Sequence, residues 1–332
     1  MWFWRIDKSR LTGIGGSISH PNEVIVEKIK LALVGIGKIA RDQHLPALAA
    51  NEDFDLIATA SRNNSVDGIA AYKDVSELLS ALPDLKAISL STPPEGRFEQ
   101  AMTAIRAGKD VMLEKPPAAT VSEAEMLIAA ARAHNVVLFA TWHSREAAEI
   151  DAARAWLKDK AIKAVRIRWM EDIRQWHPGQ DWILAPGGFG VFDPGINALS
   201  IATTILPEPL TVLSADMGVP SNRACPVTAD IRMRSGDAEV DVKFNFLQTG
   251  TQTWDIEVDT DAGMLRLGMG GSILEIPGEA QKSAADEEYA RLYRRFAELV
   301  RTRQIDVDLR PLHLVADSFM IANRTTLEPF EF

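Results

Sequence analysis

The apolar run from Ile29 leads directly into Leu33-Val34-Gly35-Ile36-Gly37-Lys38-Ile39-Ala40. A strand, a tight glycine turn and a helix start account for this order of residues. Gly35, Gly37 and Ala40 fill the three small positions of a G-x-G-x-x-G/A dinucleotide fingerprint. The first glycine permits the turn, and the second lets backbone approach a pyrophosphate. The third small residue lets helix and strand pack closely. Free N–H groups at a helix start also favour an anion. A second glycine cluster, Gly13-Ile14-Gly15-Gly16, follows no apolar strand and is set aside.

The chain downstream fits that start. Short apolar runs at residues 30–34, 54–60, 87–90, 110–113 and 136–140 alternate with helical patterns near 39–50, 75–81, 97–107 and 121–133. Alternation of this length predicts a parallel, doubly wound sheet. Residues 27–148 are therefore expected to form an NAD(P)-binding Rossmann domain. Residues 1–26 hold Trp2 and Trp4 but show no periodicity, and are expected to be a disordered or misassigned extension.

After residue 148 the pattern changes to period two. Val165, Ile167 and Trp169 alternate with arginines, and Val240, Val242, Phe244 and Phe246 alternate with polar residues. Ile256 and Val258 repeat the pattern. Half-buried strands in a large, mostly antiparallel open sheet follow from it. Ser235-Gly236-Asp237 reads as a hairpin turn. Tyr289, Leu292, Tyr293, Phe296, Leu299 and Val300 make one helical stripe. A last helix, about 311–322, is expected to return to the Rossmann domain. Residues 149–332 are thus expected to form a second α/β domain for substrate binding and oligomerisation.

Composition removes several functions. The chain of 332 residues carries a net charge of −10, which argues against nucleic-acid and anionic-membrane partners. One cysteine, Cys225, allows neither a disulfide framework nor a Cys-based zinc site. The six histidines show no metal-ligand spacing, so no metal is expected. No apolar stretch reaches the roughly 18 residues of a membrane span, and no secretory signal pattern opens the sequence. A cytoplasmic protein acting on a small molecule is expected.

Three segments carry candidate chemistry. The second strand ends at Ala60-Ser61-Arg62-Asn63, where an NAD-selecting protein usually places an acid. Ser61 and Arg62 suit the 2′-phosphate of NADP, against the alternative of a solvated loop arginine. Glu114-Lys115-Pro116-Pro117 follows an apolar strand, and a lysine at such a strand end points into a ligand crevice. A surface lysine is the alternative. Pro116 can fix the backbone there, sometimes through a cis bond. Ser91, Thr92 and Pro93 close the preceding strand on the same side. The third segment runs from Gly187-Gly188 to Asp193-Pro194-Gly195-Ile196-Asn197. Asp193 and Asn197 share one helix face, and Asp193 before proline also reads as an N-cap.

In their order and spacing, these elements resemble the glucose–fructose oxidoreductase / inositol dehydrogenase (Gfo/Idh/MocA) family over about residues 28–325. Within it, the loops at residues 37–46, 140–145 and 176–180 are similar to the bacterial L-arabinose/D-galactose 1-dehydrogenase branch. The resemblance implies a Rossmann domain followed by an open-sheet domain that often mediates oligomerisation as a dimer or tetramer. It implies oxidation of an aldopyranose at C1 to the lactone; with the Ser61-Arg62 reading, NADP is the preferred cofactor and NAD the other. The implied cofactor residues are Gly35, Gly37, Lys38, Ile39, Ser61, Arg62, Ser91, Thr92, Pro93, Glu114 and Lys115. The implied catalytic residues are Lys115, Asp193 and Asn197. Many family members carry histidine where Asn197 stands, and asparagine cannot act as a base near neutral pH. His177, otherwise read as a buried structural histidine, is expected to bind a sugar hydroxyl. His143, Glu171 and Trp176 are weaker candidates of the same kind, and His44 is read as structural. Two rival functions stand beside this one. The first is a family enzyme acting on a ring hydroxyl of another sugar or inositol. The second is a non-catalytic NADP-binding sensor.

Overall fold

The computed structural model describes residues 27–332, so the expected extension at residues 1–26 lies outside the described residues. Strands β1 (Ile29–Val34), β2 (Phe54–Ala60), β3 (Ala70–Tyr72), β4 (Ala87–Leu90), β5 (Asp110–Glu114) and β6 (Leu138–Thr141) form one sheet in the order β3-β2-β1-β4-β5-β6. Every neighbouring pair is parallel. β4 and β5 are buried along their whole length, which is why they read as unbroken apolar runs. The order reverses between β1 and β4, so a crevice opens at their carboxyl ends.

Helices α1 (Leu45–Ala49), α2 (Val75–Ala81), α3 (Arg97–Arg106) and α4 (Val121–Ala133) join these strands. Asp74 and Thr120 cap α2 and α4 by accepting the N–H groups of Glu77 and Glu123. The regular helix expected over 39–50 instead contains a π-helical turn, Ala40–His44, in which the Leu45 N–H bonds the Ala40 carbonyl. His44 inside that turn is fully buried.

The second sheet has nine strands. They are β7 (Ile162–Met170), β8 (Leu210–Pro220), β9 (Thr228–Ser235), β10 (Ala238–Asn245), β11 (Thr253–Thr260), β12 (Gly263–Gly268), β13 (Ile273–Glu275), β14 (Lys282–Ser283) and β15 (Asn323–Leu327). Their order is β14-β13-β12-β11-β7-β10-β9-β8-β15. The β7·β10 and β8·β15 pairs are parallel, and the other pairs are antiparallel. One face of this sheet is apolar. The other exposes Asp230, Arg232 and Arg234 on β9 beside Glu239, Asp241 and Lys243 on β10.

Helices α5 (Ile150–Leu157), α6 (Ile173–Trp176), α7 (Phe192–Ile205), α8 (Glu288–Thr302) and α9 (Arg310–Ile321) complete the fold. α7 is buried almost all round. Gly195 is what permits this, since a Cβ there would stand 2.6 Å from the Phe244 ring of β10. α8 covers a face of the Rossmann sheet, and the last helix, α9, meets the Rossmann segment at α4. The apolar stripe of α8, with Tyr293 and Phe296, packs on Leu31, Phe54 and Met112, whereas α9 joins the core of the second sheet. The strength of the stripe decides this. α8 has one sharply apolar face, which a sheet otherwise open to water can cover.

Candidate active site

A cavity of about 400 Å³ opens where the carboxyl ends of β1, β4 and β5 face the loop that carries Trp176, His177 and Trp182. Its first wall comes from the Rossmann sheet. Gly35 turns the chain with φ of +88°, and a Cβ there would lie 2.8 Å from the Thr92 nitrogen. The Ser91 hydroxyl ties that turn down by donating to the Gly35 carbonyl at 2.6 Å. A Cβ on Gly37 would meet nothing within 4 Å, so its backbone is bare toward the cavity. Lys38 and Ile39, then Ser91, Thr92 and Pro93, continue this wall to Glu114 and Lys115. Ser61 and the exposed Arg62 stand at the end of β2, outside the cavity lining. Arg41 reaches the same loop and donates to the Ser65 carbonyl at 3.3 Å.

Behind this wall the polar groups are buried and satisfied. Glu114 Oε1 accepts from the Tyr289 hydroxyl at 2.7 Å and contacts His44 Nε2 at 3.1 Å. His44 Nδ1 lies 2.8 Å from the Tyr293 hydroxyl. Burial alone would raise the Glu114 carboxyl. The hydrogen bond and charge of His44, aided by His143 and Tyr289, outweigh it and hold the group at about 2. Arg97, itself buried, donates to the carbonyls of Thr92, Glu114 and Pro116. Burial brings its pKa down to about 10, against the opposing pull of Glu114 and Asp193. The Lys115–Pro116 bond is cis.

The second wall carries titratable side chains in contact with one another. Lys115 Nζ donates to Asp193 Oδ1 at 3.1 Å and to the Asp193 carbonyl at 2.9 Å. Asp193 Oδ2 lies 3.9 Å from His177 Nδ1. His177 Nε2 lies 3.0 Å from Glu171 Oε1, and Glu171 Oε2 accepts from Trp254 Nε1 at 2.8 Å. Trp176 lines the cavity, and its indole N–H is the one buried side-chain polar atom without a partner among the described residues.

Three expectations change here. Asp193 does not cap α7. The helix starts at Phe192 after Val191, with no side-chain cap bond, so the carboxylate lies inside the first turn and is free to face Lys115. His143 lies off the cavity lining, 2.5 Å from Glu288 Oε2 of α8. Asn197, half-buried one turn beyond Asp193, is also off the lining. Trp254 and Arg97 were not foreseen. Trp254 had a signal, because it continues the Ile256–Val258 alternation by one step. Arg97 had none.

Residues 29–141 match the family described as "Oxidoreductase family, NAD-binding Rossmann fold". The galactose 1-dehydrogenase of Pseudomonas fluorescens is 43% identical over 310 residues, covering 92% of this chain and 99% of that protein. A crystal structure of D-galactose-1-dehydrogenase from Rhizobium etli is 48% identical with a TM-score of 0.88, over 92% of this chain and 99% of that one. A 3-ketoreductase from Actinomadura kijaniata, crystallised with NADP and TDP-benzene, shares the fold. It is 21% identical with a TM-score of 0.78, over 91% of this chain and 100% of that one.

Proposed function

Since the chain belongs to the Gfo/Idh/MocA family of NAD(P)-dependent oxidoreductases, we propose that it oxidises an aldopyranose of the D-galactose / L-arabinose type at C1 to the aldonolactone. The observation that carries this reading is the Lys115–Asp193 pair at 3.1 Å, beside the bare Gly37 backbone in one cavity. The Gly35–Gly37 turn, Ser91, Thr92 and Glu114 would hold the nicotinamide dinucleotide. When bound, that cofactor supplies the hydride acceptor. The rest falls to side chains. The pair Lys115–Asp193 holds the C1 hydroxyl and takes its proton. His177 and the unpaired Trp176 N–H supply hydrogen-bonding groups for the other hydroxyls, while Glu171, buried and off the cavity lining, holds His177 from behind.

NADP is the preferred cofactor in this reading. No acid closes β2, and Arg62 at its end can pair with a 2′-phosphate. Self-association through the open face of the nine-stranded sheet belongs to the same reading. Its exposed rows carry both signs, with Arg166 paired to Glu257 and Arg168 to Asp241. Steady-state rates on galactose, arabinose, glucose, fucose and xylose with each cofactor test the proposal. Lactone as product supports it. A ring ketone would move the reaction to another hydroxyl, and cofactor binding without turnover would make the protein a sensor.

A further inference from the structure

If the cavity oxidises an aldose, each turnover leaves one proton on the Lys115–Asp193 pair. Asp193 is nearly buried, with only 6% of its side chain exposed, and Asn197 next to it on the helix accepts no proton near neutral pH. Lys115, 15% exposed, is itself held by two Asp193 oxygens, and a second route out for the proton lies on the far side of Asp193.

His177 stands on the other side of Asp193, in an arrangement that fixes its protons. An indole N–H only donates. Trp254 is held in place by packing on Trp169 and Trp176, and it therefore fixes Glu171 as an acceptor. Glu171 as a carboxylate accepts at both oxygens, so the hydrogen between Glu171 and His177 belongs to Nε2. That leaves Nδ1 bare and facing Asp193 Oδ2. The 3.9 Å between them is the separation of two acceptors with no hydrogen to share. A proton arriving on Asp193 turns one acceptor into a donor and lets the gap close. The His177 side chain is 17% exposed, so unlike Asp193 it also meets water.

We propose that His177, locked in its Nε2–H tautomer by Glu171 and Trp254, carries the proton from Asp193 to solvent. This rests on the aldose-oxidation reading. The C1 hydroxyl proton goes to the Lys115–Asp193 pair. The Asp193 O–H bond then breaks as the His177 Nδ1–H bond forms; that Nδ1–H bond breaks in turn as the proton passes to water or buffer, which restores the Nε2–H tautomer held by Glu171. No electrons move in the relay. The charged groups facing the ring are Glu171 and Asp193, with Lys115 behind Asp193, and the apolar Phe246 ring packs against it. His177 is a catalytic residue in this scheme, and Glu171 and Trp254 are positioning residues.

The test combines kinetics with a measurement on the cofactor-free protein. His177→Ala should lower kcat at least about 10-fold. Added imidazole should restore kcat in proportion to its concentration, and the solvent deuterium isotope effect should rise. Trp254→Phe keeps a ring in place but removes the N–H. It should lower kcat a few-fold with the same rescue, and ¹⁵N NMR of the cofactor-free protein should show His177 moving from the Nε2–H tautomer to a mixture. A native His177 in the Nδ1–H tautomer would overturn the relay regardless of turnover. So would a His177→Ala variant that changes KM alone, or whose lost kcat imidazole does not restore. A native protein that oxidises no aldose removes the reaction itself, a result distinct from failure of the variants.

Discussion

The two walls of the cavity are built from different materials. The Rossmann wall is backbone and small side chains, from Gly37 to Ser91-Thr92-Pro93, stiffened from behind by Arg97 and Glu114. The opposite wall carries titratable side chains: Asp193 from α7 and His177 at the end of α6, with Glu171, which follows β7, buried behind His177. Lys115 belongs to the first wall by its backbone and to the second by its ammonium group. The division suits a reaction in which one wall only has to hold a large anion still, while the other has to move protons. It also sorts mutations. Changes in the first wall should cost stability or cofactor affinity, and changes in the second should cost rate.

Arg97→Met is the severest break of the first wall. It leaves the carbonyls of Thr92, Glu114 and Pro116 without their buried donor. At about 1–3 kcal/mol for each unsatisfied group, a loss of about 3 kcal/mol or more is expected in denaturant unfolding. A loss under about 1 kcal/mol would show that the wall does not depend on Arg97. The second wall should respond in rate. Asp193→Asn and Lys115→Met should each lower kcat by about 100-fold or more, with NADP affinity little changed. The double variant should fall short of the product of the two losses, because the pair acts as one unit. Near-native kcat in Asp193→Asn would leave proton transfer to Lys115.

The same division explains what the sequence made legible. The Rossmann wall lies within short stretches, each with its own signal: a glycine turn after β1, and a strand end before Lys115. The resemblance pointed to Asp193, but only the fold shows which way it faces. A helix start one residue earlier or later decides between cap and cavity. Period two put Trp169 on the buried face of β7, and Glu171 follows on that face, two residues on. Trp254 is paired with Trp169 across β7 and β11, and that pairing joins residues 85 positions apart. No local pattern encodes it. The same limit hid Arg97, whose partners are backbone carbonyls with no sequence signature, and the packing of α8 on the Rossmann sheet.

Cofactor selection sharpens the comparison with a smaller effect, at the far end of the Rossmann wall. In the proposed reading, Arg62→Ala removes one charged partner of an extra phosphate. NADP binding should weaken by about 10-fold or more, the size of a charge-assisted hydrogen bond, while NAD binding stays within about 2-fold. Equal losses measured for both dinucleotides would take Arg62 out of the phosphate site.

His143 gives the smallest expected effect, and it decides where the second wall ends. Sequence resemblance grouped it with the sugar ligands, yet it faces Glu288 at 2.5 Å and lies off the cavity lining. Burial opposes charge on this ring, but Glu288 more than offsets it, and the pKa is raised above the ordinary 6.5. A raised folded-state pKa means that protonation stabilises the fold. That contribution is complete below about pH 6.5, the unfolded value, and fades as pH rises through the folded value. The pair links the turn after β6 to α8. Thermal unfolding of His143→Gln should therefore match the native protein at high pH and fall below it at pH 6. Its kcat and KM for the sugar should be unchanged. A raised KM with an unaltered stability profile would instead move His143 into the substrate wall, and would mean that the loop after β6 closes onto the sugar when it binds.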